Sequence, residues 1–189
     1  MAVYAVIGVS GNTGGATARA LLARGARVRA VVRDAAKGER WLAQGAEVAV
    51  ADLADAGSLA AAFEGADAAY VLNPPAYTMP DLFARAETLA RNVLAAARQS
   101  RIGRLVVLSS IGAHLPSGTG NIRTNWTFEQ VLGALDGAVT FVRPAYFMEN
   151  WAWVAPVAAG QGLLPSSPVR PRRLLTRRDR FARCTRRAR

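Results

Sequence analysis

The residues of this chain best placed to do chemistry are three glycines, Gly8, Gly11 and Gly14, spaced G-x-x-G-x-x-G within V-Y-A-V-I-G-V-S-G-N-T-G. An apolar run, Val3 to Ile7, leads into them, and an alanine-rich stretch, Ala16 to Ala23, follows and closes at Gly25. A diphosphate needs such a turn because its oxygens must come closer to backbone N–H groups than a Cβ allows. The N-terminus of the following helix adds free donors and the positive end of a dipole. In that geometry Gly8 makes the turn, Gly11 admits the close approach and Gly14 lets the helix pack tightly on the strand. The order strand, glycine turn, helix gives the spacing its meaning. By residue type alone, little else offers chemistry. The chain has one histidine, His114, and one cysteine, Cys184, with no cluster at metal-ligand spacing and no Ser-His-Asp arrangement.

A turn of this kind works only inside a scaffold, and the rest of the sequence supplies one. Strand patterns at Val28–Val32, Glu47–Ala51, Ala68–Leu72, Leu105–Leu108 and Val139–Val142 follow the first apolar run. Between them lie helical patterns at Lys37–Gln44, Ser58–Phe63, Asp81–Gln99 and Trp126–Leu135, the second with a cap at Asp55, Gly57 or Ser58. In the longest of these, Leu82, Phe83, Ala86, Leu89, Ala90, Val93 and Leu94 recur at helical spacing. Apolar strands alternating with helices predict an α/β fold, a doubly wound parallel sheet of the Rossmann type with helices on both faces. Ligands of such sheets sit at the carboxyl ends of the strands. Those ends are Gly8–Gly14, Arg33-Asp34, Asp52-Leu53, Asn73–Pro75, Ser109–Ile111 and Arg143–Tyr146.

Bulk composition narrows the class. The chain has 189 residues, enough for one sizeable core, and is 51% hydrophobic and 20% charged, the balance of a globular protein. Its formal charge of +11 suggests a nucleic-acid binder until the charge is located. Residues 1–169 carry 14 basic and 12 acidic side chains, whereas 170–189 carry ten arginines and one aspartate. The basicity belongs to the tail. A single cysteine allows no intrachain disulfide and points to a reducing, cytoplasmic compartment. Val3–Ile7 lacks a preceding basic segment and reads as a core strand, not a signal peptide. No apolar run reaches bilayer length, and the longest, Trp151 to Ala159, contains Pro156.

The glycine turn G-V-S-G-N-T-G-G, the strand end V-R-A-V-V-R-D, V-L-S-S-I-G-A-H after the fifth strand and F-V-R-P-A-Y-F-M-E-N-W after the sixth occur together in this order. Together they resemble the NmrA-like branch of the atypical short-chain dehydrogenase/reductase superfamily. That branch holds NAD(P)H-dependent quinone and azo-dye reductases, and also redox-sensing regulators that bind dinucleotide without turning it over. The resemblance covers roughly the first 165 residues. It implies that Asn12 and Thr13 lie beside the diphosphate and that Arg33 reads the nucleotide's 2′ position. A carboxylate there accepts a ribose 2′-OH, and a guanidinium pairs with a 2′-phosphate. Arg33 with Lys37 nearby favours NADP(H), while Asp34 keeps NAD(H) possible. Asp52 and Leu53 would flank the adenine, or Asp52 is simply an exposed loop residue. Asn73 and Pro74 would border the nicotinamide ribose, although Pro-Pro after a strand also serves to end it.

Ordinary members of the superfamily use a Tyr-x-x-x-Lys helix, in which tyrosine transfers a proton and lysine lowers its pKa. The corresponding residues here are Asn125 and Glu129. Asn125 cannot act as a general acid, and Glu129 would oppose ionisation of a nearby phenol. Quinones need such a dyad less, because the hydroquinone anion is stabilised and water can protonate it. Ser110 could hydrogen-bond an acceptor's carbonyl oxygen or satisfy loop backbone. His114 is either solvated or a proton relay. Tyr77 and Tyr146 could stack on flat rings, whereas Trp126, Trp151 and Trp153 read as packing residues.

Family members run beyond residue 165 into a smaller substrate-binding region, so the expected organisation is a dinucleotide-binding domain over 1–165 and a basic, disordered tail over 166–189. The tail's arginine- and proline-rich composition is what a lost reading frame in a GC-rich gene would produce, leaving the substrate subdomain largely missing. Translating the downstream DNA in the other two frames tests this, and the idea fails if neither continues with apolar periodicity. The competing reading is a basic arm for nucleic acid, weakened because only Phe181 interleaves with the arginines for base stacking. Oligomeric state is open. The partners expected are a dinucleotide and a small-molecule electron acceptor. A dinucleotide sensor that regulates a partner protein is the alternative.

Overall fold

The computed structural model describes residues 2–76, 78–153 and 155–161. Tyr77, Cys184 and the arginine-rich tail lie outside the described residues. The chain divides into two compact units, one ending at Ala145 and the other beginning at Tyr146.

In the first unit six strands form one fully parallel sheet: β1 (Val3–Ile7), β2 (Arg27–Val32), β3 (Glu47–Val50), β4 (Ala68–Leu72), β5 (Arg104–Leu108) and β6 (Ala138–Val142). The strand order is β3-β2-β1-β4-β5-β6. The order in which strands are added reverses between β1 and β4, the crevice where open α/β sheets bind ligands. The helices between strands are α1 (Asn12–Ala23), α2 (Glu39–Leu42), α3 (Ala56–Phe63), α4 (Leu82–Ser100) and α5 (Arg123–Leu132). The second unit contributes a 3₁₀ segment, Met148–Trp153, and α6 (Ala155–Gln161).

Alternate side chains of the strands feed two cores. On one face Ala5, Ile7, Val71, Leu105 and Val107 pack with Leu59 and Phe63 of α3, Leu89 and Val93 of α4, and Phe128 and Leu132 of α5. On the other, Val6, Val28, Ala30 and Val32 pack with Ala18 of α1 and Trp41 of α2. The second core sits over β1, β2 and β3. β6 presents only Val139 and Phe141 to a core, and Val142 is 42% exposed.

Local chemistry sets the helix boundaries. Asp81 caps α4 by accepting from Phe83 N and Ala84 N at 3.0 and 2.9 Å, and Asp55 caps α3 by accepting from Gly57 N at 2.9 Å. α1 begins at Asn12, four residues before its alanine run, so the glycine turn and the first helical turn overlap. The helical pattern at 37–44 resolves into a 3₁₀ turn, Ala35–Gly38, followed by α2. The break falls at Gly38, which is buried and where a Cβ would lie 2.5 Å from Val48 Cγ1. α5 starts three residues early, at Arg123, after a 3₁₀ turn over Gly120–Ile122.

Candidate dinucleotide site at the strand ends

The glycine turn leaves β1 at Gly8, whose φ of +74° lies in the left-handed region that glycine enters without strain. Gly11 N donates to Gly8 O at 2.9 Å and closes the turn. Gly11 is the N-cap of α1 and carries no side-chain cap, so the first N–H groups of a twelve-residue helix face outward unpaired by any side chain. The three glycines have separate reasons. A Cβ on Gly14 would lie 2.7 Å from Ile7 O and nearer still to Gly8 O, so Gly14 brings helix and strand together. A Cβ on Gly11 would meet only Gly8 O, at 3.4 Å, so what it would obstruct is approach from outside. Gly15 matters as well, with Val9 O 3.0 Å from a Cβ there. Asn12 is exposed at the helix start, and Thr13 is half-buried behind it. A diphosphate fits this geometry.

Arg33 follows β2 directly and is exposed, with no ion pair among the described residues. The neighbouring Asp34 is occupied: its carboxylate accepts from Ala36 N at 3.0 Å and caps the 3₁₀ turn that carries Lys37. A third cation joins them. Arg40 Nη2 donates to Val9 O, inside the glycine turn, at 3.1 Å, and its guanidinium stands 5.5 Å from the centroid of the Trp41 ring. Nothing local in the sequence marks Arg40, because the bond spans 31 residues. Asp52 shapes its own loop by accepting from Ala54 N at 2.9 Å. Leu53 is buried in the first core, and its carbonyl accepts from Asn92 Nδ2 at 3.0 Å.

Register aligns the remaining strand ends. Leu72 of β4 pairs with Leu108 of β5, which pairs with Val142 of β6, so Asn73, Ser109 and Arg143 emerge side by side. Asn73 Nδ2 donates to Thr124 Oγ1 at 2.9 Å, while its Oδ1 is buried with no partner among the described residues. Pro74 O accepts from Arg85 Nη1 at 3.2 Å. Ser110 Oγ donates to the adjacent Ile111 O at 3.2 Å, and His114 is exposed.

Asn125 is half-buried in the first turn of α5, and one turn on is Glu129, whose side chain is only 5% exposed. Ser109 Oγ donates to Glu129 Oε1 at 2.5 Å and Arg143 Nε donates to the same oxygen at 2.8 Å. Arg143 Nη2 donates to Oε2, completing a two-pronged pair. Burial pushes the Glu129 carboxyl up, but the bonds from Arg143 and Ser109 outweigh it, with the charges of Arg143 and His114 adding, and hold it below its ordinary value. The bonds to Glu129 raise Arg143 in turn. Glu129 is thus an ionised tie joining α5 to the ends of β5 and β6. The sequence places Ser109 and Arg143 at strand ends but does not join them to Glu129, because the tie exists only once three elements pack.

Tyr146 and Trp151, within the second unit, meet edge to face at 5.8 Å and 74°. Trp126 is half-buried on α5. Among the described residues no three His, Cys, Asp or Glu side chains are grouped to hold a metal. No described helix is long and apolar enough to cross a membrane.

The family of NAD(P)H-binding proteins matches residues 8–158, from the first glycine of the turn to α6. The chain belongs to that family. The NAD(P)H azoreductase of Xenophilus azovorans is 31% identical over 145 residues, covering 77% of this chain and 48% of that protein. Cinnamoyl-CoA reductase 1 of Oryza sativa subsp. japonica is 37% identical over 115 residues, or 57% of this chain and 34% of the relative. Among solved structures, the NADPH-dependent quinone oxidoreductase of Escherichia coli, complexed with NADPH, superposes with a TM-score of 0.71 at 25% identity over 86% of this chain and 55% of that one. The Citrobacter sp. triphenylmethane reductase complexed with NADP(H) has the same fold, with a TM-score of 0.74 at 21% identity and coverages of 86% and 55%. The chain therefore spans about half or less of the length of these relatives. Family and fold agree with the resemblance carried by the glycine turn and strand-end motifs.

Proposed function

We propose that this chain is the dinucleotide-binding part of an NADPH-dependent reductase that passes hydride to a quinone-like or azo acceptor in a reducing, cytoplasmic compartment. The observation that carries the reading is the uncapped N-terminus of α1 at an open glycine turn, with Arg33 and Lys37 exposed at the adjacent strand end. The azoreductase and quinone oxidoreductase relatives support the choice of acceptor. Gly11 and the first turn of α1 hold the diphosphate through backbone N–H groups. Arg33 and Lys37 pair with a 2′-phosphate, while Asp34, one oxygen of which caps the 3₁₀ turn, keeps only its other oxygen for a 2′-OH. Asn73 offers its Oδ1, which has no partner among the described residues, to the nicotinamide side. When bound, the reduced nicotinamide supplies two electrons and a proton as hydride.

Fluorescence titration with NADPH and NADH tests the reading. Saturable binding is expected to favour NADPH by at least tenfold, and Arg33→Glu should erase that preference. Equal affinity for both nucleotides, unchanged by Arg33→Glu, would remove Arg33 from the site. The second reading, a dinucleotide sensor without turnover, is favoured by Asn125 and by the engagement of Glu129 with Arg143, which leave α5 without an acid–base dyad. NADPH consumption on addition of a quinone separates the two.

A further inference from the structure

The tie between Glu129 and Arg143 has two ends of different character. Glu129 is buried, whereas the Arg143 side chain is 41% exposed at the carboxyl end of β6. Its Nε and Nη2 are spent on the carboxylate, and Nη1 donates to no described residue. A guanidinium is planar and rigid, so fixing one edge on a buried carboxylate aims the opposite edge. That edge belongs to the same row of strand ends as Asn73 and Ser109, three neighbours across the sheet on its ligand-binding side. The pair as a whole is neutral, so its attraction is directional: its exposed end is the guanidinium and its buried end the carboxylate.

We propose that the free edge of Arg143 is an oxyanion-binding site for the electron acceptor, with Glu129 and Ser109 as positioning residues that aim it. The proposal rests on the reductase reading above for the identity of the ligand, and on the geometry alone for the site. The acceptor it suits is one that gathers negative charge on an oxygen as it is reduced, such as a quinone or a conjugated carbonyl. A dinucleotide held at the glycine turn would supply the two electrons and one proton as hydride. The acceptor takes the hydride, its oxygen becomes negative against Arg143, and water supplies the second proton. No tyrosine is then required at position 125, because the charge is held by a cation that never has to give up a proton. Preorganised donors of this kind are worth about 10²–10³-fold in rate.

The test uses 4-nitrophenolate, a coloured phenolate anion, titrated against the full chain with and without NADP⁺ at a pH where the probe is ionised. Two variants accompany the wild type. Arg143→Met combined with Glu129→Gln removes both charges, so neither is left buried and unpaired. Arg143→Lys keeps the pairing with Glu129 but has no opposite edge to offer. Both variants are expected to bind the probe at least tenfold more weakly than wild type, while their NADPH affinity stays within about twofold. Should the double variant fail to fold, Arg143→Lys carries the comparison. The proposal is overturned if wild type does not bind the probe, or if Arg143→Lys binds it as well as wild type does. Quinone-dependent NADPH consumption is a separate readout: a chain that binds the phenolate through Arg143 but consumes no NADPH overturns the reductase reading and leaves the anion site standing.

Discussion

At the scale of single residues, the glycine turn separates two requirements that one motif usually merges. Gly14 is fixed by its own protein, since a Cβ there collides with backbone carbonyls of Ile7 and Gly8 that no side-chain rearrangement can move. Nothing within the chain excludes a side chain at Gly11, whose Cβ would find only an ordinary contact, so on the proposed reading its glycine serves an approaching diphosphate. The two substitutions should therefore fail differently. Gly14→Ala should lose about 1–3 kcal/mol of stability, the usual range for overpacking, and lose NADPH binding with it. Gly11→Ala should melt within a few degrees of wild type while binding NADPH at least tenfold more weakly. Thermal melts and nucleotide titrations on the pair decide the matter. A Gly11→Ala protein with intact affinity would mean that no phosphate approaches the turn as closely as its geometry allows. Arg40 belongs to the same scale: its bond to Val9 O places a third cation against the turn.

Among the elements, α4 shows how a helix can end without the residue that usually ends it. Arg101, the residue just past its end, has a φ of +54° and is the one non-glycine residue with positive φ among the described residues. Ile102 N donates to Ala97 O at 3.2 Å, the long-range bond of a Schellman ending, in which the left-handed position is usually glycine. Arg101→Gly should relieve the strain and raise stability by about 0.5–1 kcal/mol, read as a shift in the urea midpoint. A fall would mean that the arginine side chain contributes more than its backbone costs. How much of the molecule the sequence reveals also follows from the elements. Strands β1 and β4 and the glycine turn after β1 are legible because their causes lie within a few residues, and of the three candidate caps for α3 the structure uses Asp55. The start of α1 at Asn12 is not, since Gly14 and Gly15 look like turn residues until their packing against Gly8 and Val9 is seen. The meeting of Ser109, Glu129 and Arg143 is hidden for the same reason, since it depends on the β5–β6 register and the docking of α5.

For the molecule as a whole, that tie is one of a set of carboxylates that make the fold sensitive to acid. Glu129 is held below its ordinary value by Arg143 and Ser109 against the cost of burial. Glu47 is lowered first by its bond from Arg27 and then by Arg29, a bridge between β2 and β3. Asp55 is lowered by the backbone N–H groups it caps at α3. All three shifts have the same sign. Each group holds its proton less tightly when folded than when unfolded, so its contribution is complete above the ordinary carboxylate range. It drains away as pH falls through the folded-state value. Stability measured by urea titration should thus be flat from neutrality down to about pH 5 and fall steeply below it. Glu47 and Asp55 lie toward solvent, where screening weakens such contributions. Glu129 is the buried member, so most of the steepness should be its own. The double variant Glu129→Gln with Arg143→Met should then lose distinctly less stability between pH 7 and pH 3 than wild type does, whatever its starting stability. Equal losses would show that the acid sensitivity lies elsewhere and that the strand ends of β5 and β6 are held together by packing rather than by charge.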